Sequence, residues 1–259
     1  MVLKSAEEIE LLRENAIIVS KTLAEVAKHI EPGVTTITLD RIAEEFIRSQ
    51  GAVPGFKGYR GFPNTLCVSV NEEVVHGIPG ERVLKNGDIV SIDCGCHKNG
   101  FYGDSAYTFA VGEVSPEVML LLERTRESLL RAVDASVAGK RVGDISAAVQ
   151  EYVESFGYSV VRELVGHGIG QQLHEKPDIP NFGRKGSGMK LQEGMTICIE
   201  PMINLGDKSV VQSNDGWTIR TADRKPSAHF ELTVAVAKGI PDVLSTFRYV
   251  EEILATKKI

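Results

Sequence analysis

The stretch Leu84 to Gly112, LKNGDIVSIDCGCHKNGFYGDSAYTFAVG, constrains this chain more than any other. Val, Ile, Tyr, Phe and Thr favour strands, and His97-Lys98-Asn99-Gly100 supplies turn chemistry, so it reads as a β-hairpin with an aspartate on each arm. A loop at Lys98-Asn99 sets Asp93 opposite Asp104, whereas a loop at Asn99-Gly100 sets Asp93 opposite Ala106. Side chains alternate with period two, so both registers leave the two carboxylates on one face. Like charges so close repel unless something positive lies between them.

The hairpin has an echo. Leu84 to Asp93 (LKNGDIVSID) matches Leu191 to Glu200 (LQEGMTICIE), with Leu, Gly, Ile and the terminal acid in register. Asp104 stands before Gly112 as Glu231 stands before Gly239, which predicts a second acidic hairpin. The preceding segments repeat too. Ser5-x-x-Glu8 opens a helix as a capping box, with an apolar stripe from Ile9 through Ile30 before Pro32-Gly33. A second helix is predicted over Thr38 to Gln50. In the other half, Ser115-Pro116-Glu117 starts a helix expected to run to about Ala138, and another follows from Asp144 to Phe156. Gly33, Leu39, Ile42, Phe46, Ile47 and Gly51 match Gly139, Ile145, Ala148, Tyr152, Val153 and Gly157. Two copies of helix, helix, loop and hairpin, roughly 5–112 and 115–239, predict one unit over 1–259 with a pseudo-twofold axis, one shared sheet and one core. Residues 52–66 read as an aromatic-bearing loop, Leu66 to Val70 as a strand, and the residues after the strand ending at Ala237 as an edge or tail.

Four acids at duplicated positions imply convergence. Asp93, Asp104, Glu200 and Glu231, with a neutral His167 set between glycines in GHGIG, carry four negative charges, which two divalent cations would cancel. One cation would leave two carboxylates unmatched, and burial punishes that. Oxygen-rich ligands with a single imidazole favour Mn, Fe, Co or Zn in a two-metal site, whose chemistry is metal-assisted hydrolysis. His229 would share the face of Glu231 and stand behind the ligands. His29 and His97 are expected at the surface.

Composition excludes other classes. With 259 residues, 42% of them hydrophobic, the chain can bury a sizeable core. A formal charge of −6 offers no basic footprint for nucleic-acid readout, and no apolar run nears the ~18 residues of a membrane span. The start, MVLKSAEEIELL, resembles neither a signal nor a transit peptide. Cys67, Cys94, Cys96 and Cys198 are few and scattered, which suits reduced thiols in a cytoplasm.

At this point the residues carry a resemblance over essentially the whole chain. VVHGIP around His76, IDCGCHKNGFYGD ending at Asp104, GHGIG around His167, ICIEP around Glu200 and SAHFE ending at Glu231 resemble the motifs of the type I methionine aminopeptidases of the short bacterial kind. The resemblance implies the pita-bread α/β (α+β) fold, with duplicated halves, antiparallel sheet covered by helices and a central dinuclear site for two divalent ions (Co, Mn, Fe or Zn). It implies that Asp93 chelates one ion, His167 and Glu200 the other, and that Asp104 and Glu231 bridge. It gives His76 and His174 the substrate and the developing tetrahedral intermediate, and gives Glu200 the proton passing from water to the leaving amine. Tyr59, Phe62, Cys67 and Trp217 match positions lining a methionine side-chain pocket. Phe56 and Arg60 stand where some relatives carry Cys and His, and Leu232 where many carry His.

The implied activity removes the initiator methionine from nascent polypeptides when the second residue is small. The enzyme is expected to be a cytoplasmic monomer in transient contact with the ribosome. Prolidases and aminopeptidase P would share the five ligands but usually carry an extra N-terminal domain, for which this chain has no room. The type II enzymes carry an insertion that the short span from His167 to Glu200 lacks. Non-enzymatic binding modules on this fold have lost ligands that this chain keeps.

Overall fold

The structure, a computed structural model, describes residues 2–257. Its first half begins with helix α1 (Ala6–Ala27), where Ser5 Oγ accepts from the Glu8 amide and the Glu8 carboxylate accepts from the Ser5 amide. This reciprocal cap satisfies two amides that a helix start otherwise leaves unpaired. Helix α2 (Thr36–Ser49) follows, and then strands β1 (Val53–Pro54), β2 (Leu66–Val70), β3 (Glu73–Val75), β4 (Ile89–Lys98) and β5 (Phe101–Ala110).

The second half repeats the plan with α3 (Pro116–Asp134), α4 (Val142–Glu154), β6 (Ser159–Val160), β7 (Gly166–Gly168), β8 (Glu175–Ile179) and β9 (Thr196–Ile199). It continues through β10 (Met202–Asn204), β11 (Val210–Gln212), β12 (Ile219–Thr221), β13 (Ser227–His229), β14 (Leu232–Ala235), β15 (Asp242–Val243) and α5 (Arg248–Thr256).

Helix boundaries shift where side chains or tertiary partners capture backbone groups. Helix α3 stops short of Ala138 because the Ser136 hydroxyl takes the Val133 carbonyl and the Ala138 amide turns to Ala237 O, 3.0 Å away. Helix α4 begins before Asp144 because that carboxylate reaches back to the Arg141 amide at 2.8 Å, which makes it the third helical residue. Helix α5 corrects the reading of the C-terminal residues as an edge or tail. Strand β15 does form an edge on β14, but Tyr249, Val250, Ile253 and Leu254 recur at helical spacing and join the core.

The turn between β4 and β5 is Asn99-Gly100, with φ of 54° and 82°. Two left-handed residues give the twist that joins antiparallel strands closely. The register therefore pairs Asp93 with Ala106 and Asp104 with Gly95. The second acidic hairpin is opened out. Strands β9 and β14 pair from Thr196–Ala235 to Ile199–Leu232, but the chain between them forms β10 to β13 instead of a tight turn.

All strand pairs are antiparallel, but the expectation of one shared sheet is corrected. The first half forms a sheet of β1, β4, β2 and β5, the second a sheet in the order β15-β14-β9-β7-β8, and among the described residues only a small sheet, β11-β12-β3, holds strands of both halves, with Ile219 opposite Val75. Across the seam, hydroxyls take carbonyls that a ladder would give to amides. Ser105 Oγ donates to Glu231 O at 2.6 Å, Thr108 Oγ1 to His229 O at 2.7 Å and Thr233 Oγ1 to Asp104 O at 2.7 Å. One regular bond, Glu231 N to Ala106 O at 2.9 Å, crosses beside them. The core itself is shared, joining Ile92 and Phe109 to Ile199, Phe230 and Val234.

Helix α1 lies close on β5 at Gly103, where a Cβ would stand 2.6 Å from the Asn15 carbonyl carbon. Neither backbone can yield cheaply there. Gly103→Ala is expected to destabilise the fold by about 1–3 kcal/mol, read as a lowered urea midpoint. An unchanged midpoint would show that α1 is not held against β5.

Candidate active site

The seam between the sheets is where the acids meet. Asp93 leaves β4 opposite Cys67 of β2, and Asp104 leaves β5 on the same face. Glu200 and Glu231 lie just past the last residue pair of β9 and β14, and His167 comes from β7, paired with Cys198. All five line one cavity of about 290 Å³, and His76, His174, Tyr59, Phe62, Cys67 and Trp217 line it with them. Every residue singled out in the sequence for ligation, substrate contact or the side-chain pocket is thus in one place.

The electrostatics are those of a cage that suits a positive counter-charge. Asp93 Oδ1, Asp104 Oδ1 and Glu231 Oε1 are buried with no hydrogen-bond partner. Among the described residues, no lysine or arginine pairs with any of the four carboxylates. Burial pushes the Asp93 carboxyl up to about 7. Burial first, and then the neighbouring charges of Glu231 and Asp93, push Asp104 well above the carboxylate range. Glu200 and Glu231 are raised in the same way.

His167 is oriented as a ligand would be. Its Nδ1 donates to Gly168 O at 2.9 Å, so Nε2 carries the lone pair. That lone pair faces Asp104 Oδ2 at 3.7 Å and Glu200 Oε1 at 3.6 Å, both of them acceptors. Carboxylate oxygens and an imidazole lone pair converging beyond hydrogen-bond range, with burial holding the imidazole pKa at about 4, fit a divalent cation between them. Four carboxylates match the charge of two such ions.

Cys198 is the group that the sequence reading passed over. Its Sγ lies within 4.8 Å of ligand atoms of Asp104, His167 and Glu231. Its position two residues before Glu200 on β9 gives it the same face, and that was the available signal. Burial raises its thiol pKa, as it raises those of the carboxyls beside it.

His229 is buried against Glu200, with Nε2 3.7 Å from Oε2, and burial lowers its pKa to about 3. His76 sits at φ 59°, a left-handed value unusual for a residue with a side chain. Its neighbour Gly77 fixes it there, donating to Ser69 Oγ at 3.1 Å and accepting from the Val68 amide at 2.8 Å. His174 Nδ1 lies 2.8 Å from the Tyr59 hydroxyl, and its ring stands 4.2 Å from that of His167. Phe62 and Trp217 meet edge to face at 5.2 Å, with Asp215 holding the Trp217 amide at 2.9 Å. His29 is exposed, whereas His97 is half-buried against the Tyr102 ring at 4.5 Å, away from the cavity.

Comparison with known proteins agrees with this arrangement. The model of metallopeptidase family M24 matches residues 10–238. The chain is 51% identical to methionine aminopeptidase 1 of Bacillus subtilis, over 95% of this chain and 99% of that one. It is 50% identical to the methionine aminopeptidase of Clostridium acetobutylicum, over 95% and 98%. The crystal structure of methionine aminopeptidase from Rickettsia prowazekii superposes with a TM-score of 0.94 at 38% identity, covering 95% of this chain and all of that one. A match over most of the length, onto the same fold and around a cage of buried carboxylates, places the chain in metallopeptidase family M24.

Proposed function

We propose that this chain is a metal-dependent aminopeptidase that removes the N-terminal methionine from polypeptides whose second residue is small. The observation that carries this reading is that the acid cage and an aromatic, sulfur-bearing pocket open into one cavity. Asp93, Asp104, His167, Glu200 and Glu231 would hold two divalent ions. When bound, such ions bring the pKa of a water toward neutrality and polarise the scissile carbonyl.

The protein's own groups do the rest. Tyr59, Phe62, Cys67 and Trp217 receive the methionine side chain, since a thioether makes favourable contacts with aromatic edges and sulfur. His174 Nδ1 pairs with the Tyr59 hydroxyl at 2.8 Å; in the tautomer that accepts from that hydroxyl, the proton is on Nε2 and is donated to the substrate carbonyl oxygen as it gains charge. Burial lowers the pKa of His174 to about 3 and also lowers that of His76, so both act as neutral donors. Glu200, the carboxyl group next to His167, carries the proton from water to the leaving amine. Residues 1–259 act as one catalytic unit. No helix of the described residues is long and apolar enough to cross a membrane. The natural substrates are nascent polypeptides in the cytoplasm, met by a monomer in transient contact with the ribosome.

Peptides test this directly. Met-Ala-Ser is expected to be cleaved, Met-Phe-Ser poorly and Ala-Pro dipeptides not at all. Preferential cleavage of Ala-Pro would replace this reading with a proline-directed one. His174→Ala is expected to lower kcat about 10²–10³-fold while elemental analysis still finds the metals bound. Loss of metal in that variant would move His174 into the cage.

A further inference from the structure

Lys4 has no part in the chemistry above, yet its side chain is only 3% exposed. Lysine is rarely buried unless paired, and pairing a buried ammonium seldom adds stability over an apolar residue. Its burial therefore calls for another explanation. Its Nζ donates to Glu175 Oε2 at 2.7 Å and to Val2 O at 3.3 Å.

Glu175 directly follows His174. Its backbone faces Gly168 across β7 and β8, one residue from His167. Its other oxygen, Oε1, accepts from the Gln172 amide at 3.2 Å, inside the turn that carries His174. The turn closes over the pair at Gly170, where a Cβ would lie 2.4 Å from Glu175 Oε1 and 2.5 Å from Lys4 Cε. Lys4 is itself anchored, its amide donating to Gly194 O at 2.8 Å in the loop that leads to β9 and Glu200.

We infer that the buried Lys4–Glu175 ion pair is a strut that fixes the His174 turn against the strand leading to Glu200, making both residues positioning residues for His174. This rests on the reading of His174 as the donor to the scissile carbonyl. Without the strut the turn keeps its backbone bonds, Gly170 N to Gln172 O at 3.1 Å and Tyr102 N to Gly170 O at 2.9 Å, but loses its side-chain tie to the segment that leads to β9. A displacement of about 1 Å at a reacting group costs on the order of 10²-fold in rate.

A double-mutant cycle on the metal-loaded enzyme tests it, using Lys4→Met, which keeps the apolar stem, and His174→Ala. Lys4→Met alone is expected to lower kcat on Met-Ala-Ser by about 10- to 100-fold, with KM changed less than about threefold and metal content unchanged. In the His174→Ala background the same substitution is expected to cost less than about twofold, because the group it positions is gone. Equal losses in both backgrounds would reveal a general structural role and overturn the strut. So would full activity of Lys4→Met. If His174→Ala proves as fast as the unaltered enzyme, the reading of His174 fails first and the strut with it, an outcome distinct from either of the others. Glu175→Gln, nearly isosteric, takes the place of Lys4→Met in the same cycle should Lys4→Met not fold.

Discussion

Asp104→Ala and Glu231→Ala are each expected to abolish turnover, by at least about 10³-fold, with loss of bound metal. Both side chains are almost fully buried, at 4% and 2% exposure, and each has an oxygen with no partner. Outside a cation cage such atoms would be a net cost to the fold. That gives the variants a second signature. The folded-state pKa of Asp104 is raised by burial and by the charges of Glu231 and Asp93, so removing it relieves repulsion in the metal-free protein. Metal-free Asp104→Ala should therefore unfold at a temperature no lower than that of the metal-free unaltered protein at pH 8. A catalytic residue whose loss destroys activity while sparing or raising metal-free stability is hard to explain as a structural aspartate. Normal turnover in either variant would sink the whole assignment.

The acid cage was legible because duplication marks position. One Asp at a strand end says little, but Asp93 and Glu200 at matched places, and Asp104 and Glu231 likewise, identify a shared locus before any fold is drawn. The hairpin register was legible only as two alternatives, since Lys98-Asn99 and Asn99-Gly100 both close a tight turn. Helix α5 was missed although Tyr249, Val250, Ile253 and Leu254 show the period, because a short stripe after a strand competes with an edge reading. The joining of the halves was misread for a different reason. Patterning shows which face of a strand is buried but not whether its edge meets amides or hydroxyls, and where β5 meets the segment of β13 and β14 the Ser105, Thr108 and Thr233 hydroxyls stand in for most of a ladder. Cys198 escaped because it was read with the other scattered cysteines, although its alternation with Glu200 sets its thiol beside Asp104, His167 and Glu231. The Lys4–Glu175 pair joins positions far apart in sequence, and no local pattern encodes such a contact.

Stripping the metal is expected to reduce activity to background, and Mn(II), Fe(II), Co(II) or Zn(II) should restore it as two equivalents bind per chain. Oxygen-rich sites accept several such ions, so the order of restored activity identifies the preferred one. Stability supplies an independent readout whose pH dependence has a fixed sign. Asp93 is raised to about 7 in the metal-free fold, and Asp104, Glu200 and Glu231 are raised as well. A group with a raised folded-state pKa contributes stability that is full below its unfolded value, about 4 for a carboxyl, and that is lost as pH rises through the folded value. The Asp93 contribution is therefore lost between about pH 4 and pH 7, and the other three raised carboxyls act in the same direction. Divalent ions bind the charged carboxylates and must displace their protons, so their stabilising effect grows over the same window. His167, His174 and His229, lowered to about 4, 3 and 3, work the other way up to about pH 6.5, because each is neutral in the fold where the unfolded imidazole still holds a proton. The rise in melting temperature on saturating with Mn(II) should thus be larger at pH 8 than at pH 5. A rise that is the same at both, or larger at pH 5, would mean that the four acids do not titrate as one buried cluster, and the charge argument for a pair of cations would fall with them.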